Sequence, residues 1–209
     1  MTINRRLAAT TVRLLPGLKQ SGSGRVLEAA LKLFAERGYA GASVRDVAAA
    51  AGVKPATIYA HFPSKEHILA ELCRIGHEGQ YRGVRSAVLG SGGDPRDQIV
   101  AYVRAHVGFH TSYPMLAVVA NSELHVLSDE LGAATFVLRR ESEDLLQEIV
   151  KRGMRSGVFK VKSAWLAVAA IGGMGLRVAY WFAPAYELSA EQVAAGYAEF
   201  ALRLLGGER

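Results

Sequence analysis

Cysteine is nearly absent: Cys73 is the one such residue in 209. That excludes a disulfide framework and any cysteine-based zinc cluster, and it points to a reducing compartment, the cytoplasm. Acidic residues are missing from the first 24 positions, and that basic stretch also lacks a continuous apolar core before a small-residue cleavage site, so it does not read as a secretory signal. Long apolar runs are rare. The segment from Ala164 to Ala183 is one, close to the length of a membrane span, but Arg177 and three glycines (Gly172, Gly173, Gly175) interrupt it. With no second comparable segment, it reads as a helix buried by its own domain and by a second subunit, with no membrane implied. Low-complexity and collagen-like repeats are absent, and a 50% hydrophobic content excludes a disordered chain.

What is present is a chain long enough for one large domain or two small ones, with ample apolar content for a core. Its net charge of +6 is unevenly placed. Residues 1–75 hold eleven basic and five acidic side chains, which accounts for the whole excess. The fourteen basic and fourteen acidic side chains of residues 76–209 cancel. A basic module joined to a neutral one is the footprint of a first part that meets a polyanion.

Periodicity along the chain is helical throughout, and no stretch alternates with period two, so the fold class is all-α, with about nine helices. Residues 1–24 read as a flexible basic arm. Leu27, Ala30, Leu31 and Phe34 share one face of a first helix that Gly38 closes. Ser43 and Asp46 form a capping box for a short second helix that ends at Gly52. Pro55 opens a third, running to about Phe62, and Ser64 caps a long fourth from Lys65 to about Leu89. Further helices are expected over about 95–112, 114–126, 129–155, 163–182 and 189–205, the last opened by the capping box Ser189 to Gln192. Gly76, Gly79 and Gly83 are expected to make the fourth helix bendable, so that it can act as a lever.

Two short helices joined by a tight turn at Gly52-Val53 make a helix-turn-helix, whose second helix fits a major groove about 12 Å wide. Pro55, Ala56 and Thr57 are small enough at its entry end for close approach to DNA. Ile58 and Phe62 return to the core, and Thr57, Tyr59 and His61 carry polar ends suited to phosphates or base edges. The run VKPATIYAHFPSKEHIL, preceded by SVRDVAAAAG, resembles the DNA-binding domain of the tetracycline-repressor (TetR) family of bacterial regulators, over about residues 25–72. The resemblance implies phosphate contacts for Tyr59, His61 and Lys65. It implies phosphate or base-edge contacts for Thr57 and Arg45, Arg45 being best able to grip guanine with two bonds. Lys54 stands where the family often has a small polar residue.

The resemblance further implies that residues 73–209 form a helical ligand-binding and dimerisation domain. Its last two helices, about 163–182 and 189–205, would build a four-helix bundle with a second copy, through the glycines of the first and Ala194, Tyr197, Ala198 and Ala201 of the second. The run VAYWFAPAYELSAEQVAAGYAEFALRLL is similar to a branch of the family that answers to acyl-CoA thioesters. Tyr102, His106, Phe109, His110, Tyr113, Phe136, Arg177 and Trp181 are candidates for the wall of an effector pocket. His106 and His110, one turn apart, read as pocket wall or core in preference to a metal site. A buried Arg177 would need an anionic partner, supplied by a ligand or by a structural carboxylate.

The chain therefore reads as a homodimeric, ligand-responsive regulator, a repressor that leaves its palindromic DNA operator when an acyl-CoA or other hydrophobic acid binds, with no cofactor and no metal. Two alternatives stay open: an effector-independent DNA-binding protein, and an all-α enzyme using His106 and His110. Nucleophile elbow, strand-borne phosphate loop and paired catalytic cysteine are all missing, which argues against the enzyme.

Overall fold

Caps and prolines decide where the helices begin. Ser43 Oγ accepts from the Asp46 N–H at 3.1 Å while Asp46 Oδ2 accepts from the Ser43 N–H at 2.8 Å, so both orphan donors at that helix start are satisfied. Ser189 and Gln192 repeat the arrangement near the C-terminus. Pro55, Pro95 and Pro114 each occupy a first helical position, where a missing N–H costs nothing. Gly52 ends its helix in the left-handed region, at φ 66°, which glycine adopts without strain.

The computed structural model describes residues 12–16 and 22–206. Regular structure among them is entirely helical: α1 (Gly22–Arg37), α2 (Val44–Ala51), α3 (Pro55–Tyr59), α4 (Lys65–Gly90), α5 (Pro95–Ser112), α6 (Pro114–Ser122), a 3-10 turn (Leu124–Val126), α7 (Asp129–Arg155), α8 (Ala164–Trp181) and α9 (Ala190–Leu204). The expected all-α class is the one observed.

The chain divides into two compact units. The first takes the described residues up to Glu78 together with Tyr113–Phe136. In it α1 packs on α2 and on α6. Leu27, Leu31 and Phe34 of α1, Val47 of α2, Ile58 of α3, and Ile68 and Leu72 of α4 are buried in it. Each large apolar side chain so buried contributes about 1.5–3 kcal/mol relative to exposure. The second unit takes Gly79–Ser112 and the described residues from Val137 onward. There α5 packs against α9 and α8, around Ile99, Tyr102, Val103, Ile171, Val178, Ala198 and Ala201. Helices α4 and α7 contribute residues to both units.

Several expectations change. Helix α1 begins at Gly22, and in the 12–16 segment Leu14 is buried, so part of the stretch read as a flexible arm belongs to the packed structure. The rest of that arm, 1–11 and 17–21, lies outside the described residues. Helix α3 stops at Tyr59, because the N–H groups of both His61 and Phe62 turn to the Ile58 carbonyl. Gly76 is a contact point more than a hinge: a Cβ there would sit 2.9 Å from Ala120 Cβ on α6. Ala194, Ala198 and Ala201, expected on a face offered to a second copy, are buried in the second unit. With Val193 and Leu202 they form the apolar stripe of α9, and packing that stripe within the unit removes it from water.

Candidate functional site

The helix-turn-helix leaves one row of side chains in solvent. Arg45 near the start of α2, Lys54 at the N-cap of α3, and Pro55, Ala56, Thr57, Tyr59 and His61 are all exposed, while Ile58 and Phe62 are buried beneath them. Tyr59 is 55% exposed, which removes packing against α1 as the reason for a tyrosine there. This division follows from geometry: on a helix one turn and a half long, the residues that anchor it (Ile58, Phe62) and those it presents (Thr57, Tyr59) must alternate around the axis. Arg45 and Lys54 add positive charge to this surface, and the one acid of α2, Asp46, is occupied by Ser43. Those hydrogen bonds hold the Asp46 carboxyl below the usual carboxylate range.

Lys65 differs from its neighbours. It is half-buried, its Nζ donates to the carbonyls of Tyr39 and Ala42 at 2.9 Å each, and it lies 4.0 Å from the centre of the Tyr39 ring. Tyr39 carried no signal of this in the sequence, since it lies 26 positions away.

Beneath the end of the helix-turn-helix, the first unit has a cleft of about 270 Å³. Its walls include Phe62, His67, Arg74, Leu131 and Thr135. Arg74 is held there by Glu71 and Glu78, and Thr135 is buried with its hydroxyl unpaired. None of the eight expected effector residues lines this cleft. Cys73, also in the first unit, is buried, and desolvation pushes its thiol up to about 12, which makes it inert.

Of those eight residues, the second unit brings four together: Tyr102, His106, Phe109 and His110. His106 Nε2–H donates to the Gly172 carbonyl of α8 at 3.3 Å, which leaves Nδ1 to accept from Gln80 Nε2 at 2.9 Å. His110 Nδ1–H donates to the His106 carbonyl at 2.7 Å, and the two rings are 4.5 Å apart. The Tyr102 hydroxyl meets Ser142 of α7, at 3.0 Å from its Oγ, and its ring stacks on His106 at 6.0 Å. Burial, with the neighbouring His110, pushes the His106 imidazole down to about 3, so it is neutral at any physiological pH. Gly175 is what lets the ring come so close: a Cβ there would lie 2.1 Å from His106 Cδ2. Gln80 and Ser142, the two groups that complete this chain, were invisible in the sequence because their partners lie 26 and 40 positions away.

Phe109 completes that group, and the other four candidates are placed elsewhere. Phe109 stacks edge-on against His110. Trp181 is half-buried among Phe182, Tyr186 and Tyr197. Arg177 is exposed, 4.6 Å above the Tyr180 ring, so the condition under which it would require a buried carboxylate does not arise. Tyr113 is the N-cap residue of α6, and Phe136, 44% exposed, belongs to the first unit. Among the described residues, no group of three or more potential metal ligands is assembled. One helix among them, α8, is long and apolar enough to cross a membrane by length and composition.

Comparison with known proteins agrees with this geometry. A family model described as "Tetracyclin repressor-like, C-terminal domain" matches residues 92–205, and one described as "Bacterial regulatory proteins, tetR family" matches residues 26–72. The chain belongs to the TetR family of transcriptional regulators; it is a DNA-binding regulator and not an enzyme. It is 28% identical over 182 residues to the transcriptional repressor KstR2 of Rhodococcus jostii, covering 85% of this chain and 87% of that one. It is 34% identical to the TetR family regulator PfmR of Thermus thermophilus, whose crystal structure superposes with a TM-score of 0.77 over 88% of this chain and 100% of that one. The fold is shared with AibR, solved in complex with isovaleryl coenzyme A and operator DNA, at 24% identity and a TM-score of 0.76, over 88% of this chain and 97% of that one.

Proposed function

We propose that this regulator is a ligand-responsive repressor that binds a palindromic operator as a homodimer in the cytoplasm and leaves it when a small hydrophobic acid, such as an acyl-CoA, binds. The observation that carries the DNA reading is the exposed row Arg45, Lys54, Pro55, Ala56, Thr57, Tyr59 and His61 above a buried Ile58 and Phe62. In this reading residues 25–72 are the DNA-reading domain and residues 73–209 the effector and dimerisation domain. Tyr59 and His61 meet phosphates, which position the helix, and Arg45 reads a base edge.

Dimerisation follows from half-site geometry, because one five-residue recognition helix presents too few base contacts for specific affinity, and two related by a two-fold axis read sites about 34 Å apart. Helices α8 and α9 supply the surface. Trp165 (65% exposed), Leu166 (61%) and Phe200 (53%) are large apolar side chains left in solvent on the single chain. A second copy covers them, and that accounts for the apolar α8 without a membrane. The effector reading is supported by AibR, solved with isovaleryl coenzyme A, as a structural neighbour, and by the polar pairs Tyr102–Ser142 and His106–Gln80 inside the second unit. A ligand that enters among Tyr102, His106, Phe109 and His110, which the second unit holds together, must replace those hydrogen bonds.

The test is selection of DNA from a random-sequence pool by the purified protein, followed by binding and sedimentation. A palindromic sequence should be enriched and bound by a dimer. Arg45→Ala should lose preference at one base pair, about 1–3 kcal/mol there, while Tyr59→Phe weakens all sequences alike. A monomer at micromolar concentration, or no enriched sequence, defeats the proposal. Thermal unfolding with acyl-CoAs then separates the effector-controlled from the effector-independent reading, since a ligand at 100 times its Kd stabilises by about 2.7 kcal/mol.

A further inference from the structure

Lys65 and Glu66 are consecutive residues at the start of α4, and each is committed to backbone groups of another segment of the first unit. Lys65 Nζ donates to the Tyr39 and Ala42 carbonyls, 2.9 Å each, and sits over the Tyr39 ring. An ammonium has three N–H groups, and two of them are spent on carbonyls. Those carbonyls belong to the turn between α1 and α2, which has little freedom. Gly38 holds φ 73°, and a Cβ on Gly41 would lie 2.4 Å from the Arg37 carbonyl oxygen. The next residue, Ser43, caps α2. Glu66 accepts from the Ser128 N–H at 2.8 Å, one residue before α7 begins, and that hydrogen bond holds its carboxyl below the usual range. One turn of α4 thereby fastens both the turn that launches the helix-turn-helix and the segment that launches α7.

We infer that Lys65 and Glu66 are positioning residues for operator recognition: Lys65 fixes where α2 and α3 stand by holding the Tyr39 and Ala42 carbonyls, and Glu66 fixes the same turn of α4 through Ser128. The inference rests on the DNA-binding reading above. It also makes a prediction whose sign simple electrostatics reverses. Glu66 is a negative charge in a unit that meets a polyanion, so removing the charge should strengthen DNA binding if charge alone matters. If its bond to Ser128 positions the reader, removing it should weaken binding.

The experiment measures affinity, corrected for active fraction, for two duplexes: the sequence that the wild-type protein enriches from a random pool, and a random-sequence control. Each is titrated over a salt series. Glu66→Ala and Ser128→Pro should each weaken the selected duplex about tenfold, the scale of one lost charge-assisted hydrogen bond, and leave the random duplex unchanged. Ser128→Pro keeps every charge and removes only the donor and the hydroxyl. Leu127 already has the extended ψ of 138° that a following proline requires. Lys65→Ala should lose more affinity for the selected duplex than for the random one, whereas loss of a phosphate contact alone weakens both alike and lowers the salt slope of each by about 0.9. Partial unfolding alone would reduce the active fraction and leave the selected-to-random ratio at its wild-type value. The inference falls if Glu66→Ala binds as tightly as wild type or tighter, or if Lys65→Ala weakens both duplexes equally. A wild-type protein that enriches no sequence overturns the DNA-binding reading and this inference with it.

Discussion

The two units place their polar chemistry in opposite ways. In the first, the helix-turn-helix holds its polar groups outside, on α2 and α3, helices of eight and five residues whose starts are decided by neighbours within three positions (Ser43 with Asp46, Lys54 with Pro55). In the second, the polar groups of Tyr102, His106 and His110 are inside, on the 18-residue α5, and two of the three are satisfied by groups on other helices. A polymer as large as DNA can be met only by side chains that stand in solvent. A buried polar chain can be met only by a molecule small enough to enter, and until then each group must be paired within the protein. The first unit can therefore change its exposed residues at little cost in stability, and the second cannot change its buried ones so freely.

The largest expected effect falls in the second unit. Gly175→Ala would drive a Cβ into the His106 ring and force it from its bonds to Gln80 and Gly172, at a cost of about 2–3 kcal/mol. Gly83→Ala, on the same unit's part of α4 and with nothing within 4 Å, should be neutral or stabilising by up to about 1 kcal/mol. Thermal unfolding of the pair would break the comparison if both variants proved equally benign.

Acid sharpens the same contrast. The folded His106 imidazole lies near 3, below the value it regains on unfolding, so the unfolded chain takes up the proton first. The stability this provides is complete above about pH 6.5, the ordinary histidine value, and is lost as pH falls from there towards 3. His106→Asn should flatten the fall in denaturation midpoint across that window. An equally steep fall in the variant would assign the acid sensitivity to other groups.

A smaller effect belongs to the first unit. Ser43→Ala removes the cap of α2 and should cost about 1 kcal/mol in chemical denaturation. It also removes the Ser43 hydroxyl, the larger of the two hydrogen bonds that hold the Asp46 carboxyl low, and leaves the backbone one. Stability from that carboxylate is present above its unfolded pKa and disappears as pH falls through the lower folded one, so the variant's deficit should narrow in strong acid. A deficit that stays constant down to acid would mean that the cap works without Asp46.

The sequence by itself determined the helical class, the helix starts at Ser43, Pro55, Pro95, Pro114 and Ser189, and the helix-turn-helix with its exposed row, because caps, prolines and 3.6-residue periodicity act over a few neighbouring positions. It also showed the charge asymmetry, which is a property of composition. The tertiary structure alone decided which face of α9 is buried, and it turned Ala194, Ala198 and Ala201 inward while leaving Phe200 exposed, since an apolar stripe does not say whether its own chain or another will cover it. It decided that Gly76 and Gly175 are contact points, because what a missing Cβ makes room for lies on another helix. It paired His106 with Gln80, Tyr102 with Ser142, Lys65 with Tyr39 and Glu66 with Ser128, across separations of 26 to 62 residues. Partners so far apart leave no periodic trace in one sequence: the hydrogen bonds exist only once hydrophobic burial has closed the chain around them, and each position alone reads as an ordinary polar residue on a helix.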